Sequence, residues 1–324
     1  MELYPLKFYP IFKEVIWGGS KIHKFKHIPS DQNNIGESWE ISGLDNHISV
    51  VSNGELKGKN LKELIDIYKD RLVGKKNYEI FGNTFPLLIK FIDAKENLSV
   101  QVHPDDSLAK KRHGASGKAE MWYIIDADEG ATTYLGFRKR TTPEELAENI
   151  KQCTLENLLA EHKMEKGNVF FLPPGRVHAI GAGTFLAEIQ QSSDITYRIY
   201  DYNRKDAKGN LRELHTHLAE DVIDYNTYED YKLDYKHRKD DLVSLESNQY
   251  FTTNLLDLST TLQRDLSGLN SFSIYICVGG NASITDNNNH TIGIKQGETV
   301  LIPANTQSIR IIPSPEVSLL ETFI

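Results

Sequence analysis

Cysteine is almost missing from this chain: Cys153 and Cys277 are the only two in 324 residues. Two thiols cannot make the disulfide framework of a small secreted domain. Long apolar runs are missing too. No segment approaches the roughly 18–20 residues needed to cross a bilayer, and the opening MELYPLKFYPIFKE lacks the uninterrupted apolar stretch of a signal peptide. A cytoplasmic chain with no membrane partner is expected. Excess positive charge is also absent, since 37 Lys and Arg face 45 Asp and Glu for a net charge of −8. That leaves no broad basic field and argues against nucleic acid as a partner. It does not exclude a small anion, which needs only a few local cations such as Lys90, Lys118 and Arg198.

What is present suits ordinary globular cores: 39% hydrophobic and 10% aromatic residues, over a length that suits two domains. Helix signals are few. Asn60 and Glu63 have the form of a capping box. Leu61, Leu64, Ile65, Tyr68 and Leu72 follow at helical spacing, with Gly74 as a stop. Thr142-Pro143 opens a second helix with proline at its first position, and a short third one is expected from Thr154 to His162. Cys153 would fall on an amphipathic helix and Cys277, inside SFSIYICV, in a core. The remainder alternates short β-rich runs with Gly, Asn and Pro turns, which favours a mainly β jelly roll over a parallel sheet.

Four residues carry the chemistry: Gln101 and His103 in SVQVHPDD, Glu120 in GKAEMWYII and His178 in LPPGRVHAIGAG. Amide, imidazole and carboxylate are the donors that hold a divalent metal through nitrogen and oxygen. Each sits in a sequence that reads as strand, where residues two apart share a face. Gln101 and His103 therefore point one way and Val100 and Val102 the other, while Lys118, Glu120 and Trp122 share a face. A lone histidine such as His23, His27 or His290 is read instead as solvated or capping. His178 differs because of GNVFFLPPGRVH, residues 167–178: a buried strand, a Pro-Pro-Gly turn, then the histidine opening the next strand.

That spacing is the second motif of the cupins, antiparallel jelly-roll barrels with an interior metal. In the first motif Gln101-Val102-His103 stands where H-x-H is usual, and sixteen residues rather than three or four precede Glu120. This departure matches one cupin family. The chain resembles the type I mannose-6-phosphate isomerases of the short bacterial form, through VIWGG, GESWEIS, FPLLIKFIDAKENLSVQVHPDD, GKAEMWY, the P-P-G-x-x-H run and EIQQSSDITYRIYDYNR in the family's order. The resemblance implies one zinc ion per chain held by Gln101, His103, Glu120 and His178, with Arg198 as the catalytic arginine. It also implies interconversion of mannose 6-phosphate and fructose 6-phosphate through an enediol. Two neutral imidazoles, an amide and one carboxylate would leave net positive charge at the metal centre, which suits an enediolate. Lys118 beside that centre is the candidate acid/base, with a metal-bound water and Asp194 as rivals. Asp194 could orient Arg198, and Lys90 either faces the substrate or forms a structural ion pair.

GETVLIPANTQS, residues 297–308, repeats residues 167–178 at an offset of 130. Pro173 meets Pro303, Gly175 meets Asn305, which can take the same left-handed turn, and His178 meets Ser308, a poor zinc ligand. Two cupin barrels with a few short helices are therefore expected: residues 1–235 catalytic and zinc-binding with small helical insertions, residues 236–324 metal-free. Residues 226–241 would connect them. Two other readings stay open. His103, Glu120 and His178 alone suit an iron(II) dioxygenase, although Gln101 would occupy a position that oxygen needs; a non-catalytic sugar-binding cupin is the other. The oligomeric state is left open.

Overall fold

The computed structural model describes residues 2–29, 34–205, 209–229 and 231–324. Strands account for 41% and helices for 16%, so the chain is mainly β as expected. Among the described residues the strands form three antiparallel sheets. The first runs β1 (Ile11–Gly19), β2 (Ile35–Ile41), β3 (Leu87–Ala94), β10 (Thr184–Gln191), β5 (Glu120–Ala127), β8 (Val169–Leu172), β12 (Lys232–Leu233). The second runs β11 (Tyr197–Tyr200), β4 (Val100–Val102), β9 (His178–Ala179), β6 (Thr132–Phe137), β7 (Leu159–Lys163). In the third, β13 (Leu242–Ser247), β14 (Thr252–Leu258), β19 (Ser308–Phe323), β16 (Ser273–Asp286) and β17 (Thr291–Lys295) lie in order. There β15 (Leu262–Asp265) pairs with β19, and β18 (Thr299–Ile302) with β16.

The first sheet is covered on both sides, which is why LLIKFIDA and TFLAEIQQ are buried at all eight positions each. One set of alternate residues, including Leu87, Ile89, Phe91, Met121 and Ile189, packs with Phe251, Phe272, Ile274 and Leu320 of the third sheet. The other set, including Ile92, Trp122, Phe170, Leu172 and Leu186, meets Leu135 of the second sheet in the lumen between the two sheets. Behind the second sheet, Val100, Val102, Tyr197 and Ile199 pack with Leu146 of the helix Pro143–Lys151. Third-sheet strands curl around a further core of Leu256, Tyr275, Cys277, Ile302, Ile309 and Leu319.

Buried polar contacts tie the first sheet to the third. Lys26, on the helix Lys21–Lys26, places its ammonium 2.7 Å from a Glu40 carboxylate oxygen and donates to the Gly297 carbonyl at 2.5 Å. Both side chains are almost fully buried. Ser38 donates to the same Glu40 oxygen at 2.5 Å, and the backbones of Leu6 and Leu301 pair with each other at 2.8 and 2.9 Å.

The capping box expected at Asn60–Glu63 forms, and the helix that opens at Thr142-Pro143 turns out to have one as well, between Thr142 and Glu145. The first helix is shorter than its spacing predicts. It spans Leu61–Tyr68, breaks where Lys69 adopts φ 51°, and continues as Asp70–Val73 and Lys75–Phe81. The expected third helix is a 3-10 turn, Leu155–Leu158, followed by β7, whose pairing with β6 outweighs local helix preference. Cys153 lies beyond the helix end, exposed, at φ 56°; Cys277 is buried as expected. The helices Lys21–Lys26 and Asp106–His113 were not expected. His27 caps its helix and His290 pairs with Asp286, but His23 is buried against Phe12 instead of solvated.

The repeat holds from Gly167 and Gly297, with φ 84° and 80°, through β8 and β18. It fails at the turn. Gly175 has φ 89° and approaches the Val222 carbonyl so closely that a Cβ would lie 2.8 Å from it, whereas Asn305 does not adopt a positive φ. After that turn Ile309 enters the core, so alternation places Ser308 on the opposite face. Of the expected connection, residue 230 lies outside the described residues; Lys232–Leu233 pairs with β8.

Removing one partner of a buried ion pair strands the other charge. Lys26→Met should therefore destabilise the protein by on the order of 3–5 kcal/mol, read as the urea midpoint. Lys26→Met with Glu40→Leu should recover most of the loss. A single variant as stable as wild type would show that the pair contributes nothing.

Candidate metal centre

His103 follows directly on β4, Glu120 opens β5 and His178 opens β9. These three strands belong to the two facing sheets, so their side chains converge in the lumen. His103 Nδ1 lies 2.9 Å from the Ile195 carbonyl and His178 Nδ1 lies 2.9 Å from the Arg176 carbonyl. A carbonyl can only accept, so both rings carry their proton on Nδ1 and turn an Nε2 lone pair inward. Those Nε2 atoms lie 3.3 and 3.7 Å from the two Glu120 oxygens. All three donor groups fall within 4.8 Å of one another, and all are buried. Neither Glu120 oxygen nor His178 Nε2 makes a well-formed hydrogen bond. Buried acceptors without donors are costly, and a divalent cation bound at their focus would satisfy all of them. The donor set fits a metal.

Lys118 is buried and reaches into the same space, 2.7 Å from a Glu120 oxygen and 3.3 Å from His103 Nε2. It is not a solvated loop lysine. Burial pushes the His103 imidazole down to about 3, and the Lys118 ammonium pushes the same way. Burial lowers His178 as well, against the pull of Glu120. For Glu120 burial acts upward, but the Lys118 ammonium beside it holds the carboxyl well below its usual range.

Gln101 pairs with His178 on one side and Arg198 on the other. Cross-strand partners share a face, so Arg198, Gln101 and His178 form a row along the second sheet. The Arg198 guanidinium donates to the Ser99 hydroxyl at 3.3 Å and the Glu213 carbonyl at 2.9 Å. Asp194 does not orient it. That aspartate is exposed and precedes β11, and among the described residues no hydrogen bond or ion pair joins it to Arg198.

Lys90 is buried in the lumen wall, where it makes the ion pair that was one of its two readings. Its ammonium lies 3.0 Å from Glu188 and 3.9 Å from Glu37. Burial would lower Lys90, but Glu188, Glu37 and Glu120 raise it above its ordinary value. Glu188 escaped notice in the sequence. It accepts from the Trp122 indole at 3.0 Å, and burial followed by the nearby Glu120 charge raises its carboxyl. The signal was available: a glutamate between Ala187 and Ile189 in an otherwise apolar strand needs a buried cation, and Lys90 interrupts β3 in the same way. A cleft of about 1270 Å³ lies elsewhere, beside Tyr4, Lys7 and β17, and among the described residues it holds no such donor cluster.

The family described as phosphomannose isomerase type I, catalytic domain, matches residues 6–138, and the mannose-6-phosphate isomerase cupin domain matches residues 242–316. The mannose-6-phosphate isomerase ManA of Bacillus subtilis is 45% identical over 226 residues, 69% of either chain. The chain belongs to the type I phosphomannose isomerase family. A mannose-6-phosphate isomerase of Streptococcus mutans is 44% identical over 64% of either chain. The crystal structure of a Bacillus subtilis mannose 6-phosphate isomerase superposes with a TM-score of 0.88 at 32% identity, covering 99% of this chain and all of that one. Two cupin barrels and few helices are thus shared along the whole length of this phosphomannose isomerase.

Acid should weaken the metal-free isomerase. An unfolded imidazole titrates near 6.5 while His103 is held at about 3, so between those values the unfolded chain binds more protons. The stability this supplies is complete above about pH 6.5 and is lost as pH falls toward 3. The urea midpoint of chelator-treated protein should drop from pH 7 to pH 5, and less so in His103→Gln. Equal midpoints at the two pH values would contradict the burial of a neutral ring.

Proposed function

We propose that this phosphomannose isomerase interconverts mannose 6-phosphate and fructose 6-phosphate through an enediol. In this reading one zinc ion per chain is held by Gln101, His103, Glu120 and His178, the chemistry lies in residues 1–235, and residues 236–324 form a metal-free supporting barrel. The observation that carries it is the buried convergence of His103, Glu120 and His178, with inward Nε2 lone pairs, beside the Lys118 amine. Imidazole, amide and carboxylate suit a divalent ion of zinc's preference. When bound, that ion would supply fixed positive charge to the oxygens on C1 and C2.

The remaining work falls to side chains. Beside a bound divalent cation the ammonium form of Lys118 would be disfavoured, so that as a neutral amine it takes the proton from C2 of the aldose and returns it to C1, while the C1 oxygen gains a proton and the C2 hydroxyl loses one. Atoms and charge balance without a redox partner. Arg198, permanently charged and held by Ser99 and Glu213, steadies the negative oxygen of the enediolate. Lys90, fixed by Glu188, and Asp194 complete the substrate side. The substrate is a small phosphorylated sugar, and the setting is the cytoplasm, without nucleic acid or membrane. No observation favours the dioxygenase or the sugar-binding alternative.

A coupled assay on mannose 6-phosphate should show turnover that a chelator abolishes and added zinc restores, with about one metal per chain by elemental analysis. Activity indifferent to chelation, or no retained metal, would end this reading. Arg198→Ala should lower turnover by roughly 10²–10³-fold, the scale for losing one such donor, with metal content intact. Arg198→Lys should restore little, because a flexible point charge does not reproduce the planar fork. A raised KM with turnover unchanged would make Arg198 a ground-state clamp.

A further inference from the structure

We infer that Lys13 recognises the phosphate of the substrate at the mouth of the lumen. The inference rests on the isomerase reading above and concerns a residue that no motif of the chain singles out.

Lys13 lies on β1, where alternation assigns the faces. Phe12 packs with the core shared by the first and third sheets, while Val15 and Trp17 pack into the lumen. Lys13, next to Phe12, takes the opposite side; the register shifts directly after it, so its pairing places it in the lumen. Its register partner is Glu37, whose carboxylate lies 3.9 Å from the Lys90 ammonium in the lumen wall. The Lys13 ammonium sits 4.5 Å from the centroid of the Trp39 ring. Lys13 is half-buried, and its charge is felt with those of Glu37, Asp194 and Lys90. Asp194 is exposed, so this cation stands where the lumen opens to water.

Charge accounting then distinguishes it. Lys90 is neutralised by Glu188 and Lys118 by Glu120, and Arg198 is engaged by Ser99 and Glu213. Among the described residues Lys13 makes no ion pair and no hydrogen bond. An indole face holds an ammonium in place without cancelling its charge, so this lysine is positioned and still free to meet an anion. A phosphate monoester carries nearly two negative charges at neutral pH and is bound well by a lysine point charge. In mannose 6-phosphate that group lies on C6, at the far end of the sugar from C1 and C2. A substrate with C1 and C2 at Glu120 would turn its phosphate outward, toward Lys13.

The test compares Lys13→Met and Lys13→Arg with wild type, each loaded with metal and checked for an unchanged melting temperature. For Lys13→Met the KM for mannose 6-phosphate should rise about ten-fold or more, the scale of one lost charged hydrogen bond, with kcat within about two-fold. Inorganic phosphate, used as a competitive inhibitor and titrated by calorimetry, should weaken by a similar factor, and Lys13→Arg should keep most of the affinity. Unchanged KM and unchanged phosphate affinity in a folded Lys13→Met would overturn the inference, as would a fall in kcat alone. Should Lys13→Met fold poorly, Lys13→Gln takes its place. Calorimetry with inorganic phosphate does not depend on turnover. A wild type that binds phosphate but does not isomerise would defeat the functional reading, and the phosphate affinity of the variant would still decide the role of Lys13.

Discussion

The burial of the Glu120 carboxylate sets the terms for the structure around it. An ionised carboxylate removed from water must be matched by positive charge and donors, and Glu120 has neither oxygen in a well-formed hydrogen bond. Lys118 at 2.7 Å supplies one charge. The two imidazoles beside it offer lone pairs, which do nothing for a carboxylate unless a cation lies between. Lys90 and Glu188, two strands and one strand away, must in turn neutralise each other because the same lumen cannot solvate them. The lumen is therefore a set of linked charge requirements, and its walls have to be stiff enough to hold each group at its distance. Sheet pairing on both sides provides that stiffness.

The third sheet shows what the same positions become when every acceptor is met by a protein donor. Following the ladders, Tyr275 pairs with Glu321, and Glu321 pairs with Asn254, the arrangement that Trp122, Glu188 and Lys90 have in the first sheet. Glu321 is fully buried, yet both its oxygens are engaged: Tyr275 and Arg264 meet one at 2.7 and 2.8 Å, and Asn254 and Arg264 meet the other at 2.8 and 3.2 Å. No acceptor there awaits a ligand. The two barrels keep a buried glutamate at one ladder position and differ in whether its neighbourhood is closed.

Much of this was legible in the residues. The two-residue alternation around Gln101 and Glu120 fixed which side chains share a face, and the Pro-Pro-Gly turn placed His178 at a strand opening. The capping box at Asn60 and the proline after Thr142 gave helix starts because their signals are local. Helix ends and short segments were not legible: the break at Lys69 and the strand Leu159–Lys163 are decided by tertiary packing rather than by propensity. The facing of Ser308 was hidden for a different reason. Its offset from His178 is regular in sequence, but alternation depends on the turn before it, and Asn305 does not reproduce the backbone of Gly175. Glu188 could have been found by asking what a carboxylate was doing inside an apolar strand.

The doubly covered first sheet has a consequence for how such a protein can change. Along β3, Leu87, Ile89 and Phe91 belong to the seam with the third sheet, while Lys90 and Ile92 belong to the lumen. Adjacent residues therefore answer to unrelated demands, one of packing and one of chemistry. A substitution disturbs only one of the two. Inserting or deleting a single residue exchanges them, sending the ammonium into an apolar seam and a phenylalanine against the carboxylates. Substitutions can accumulate in this strand, but its length is fixed.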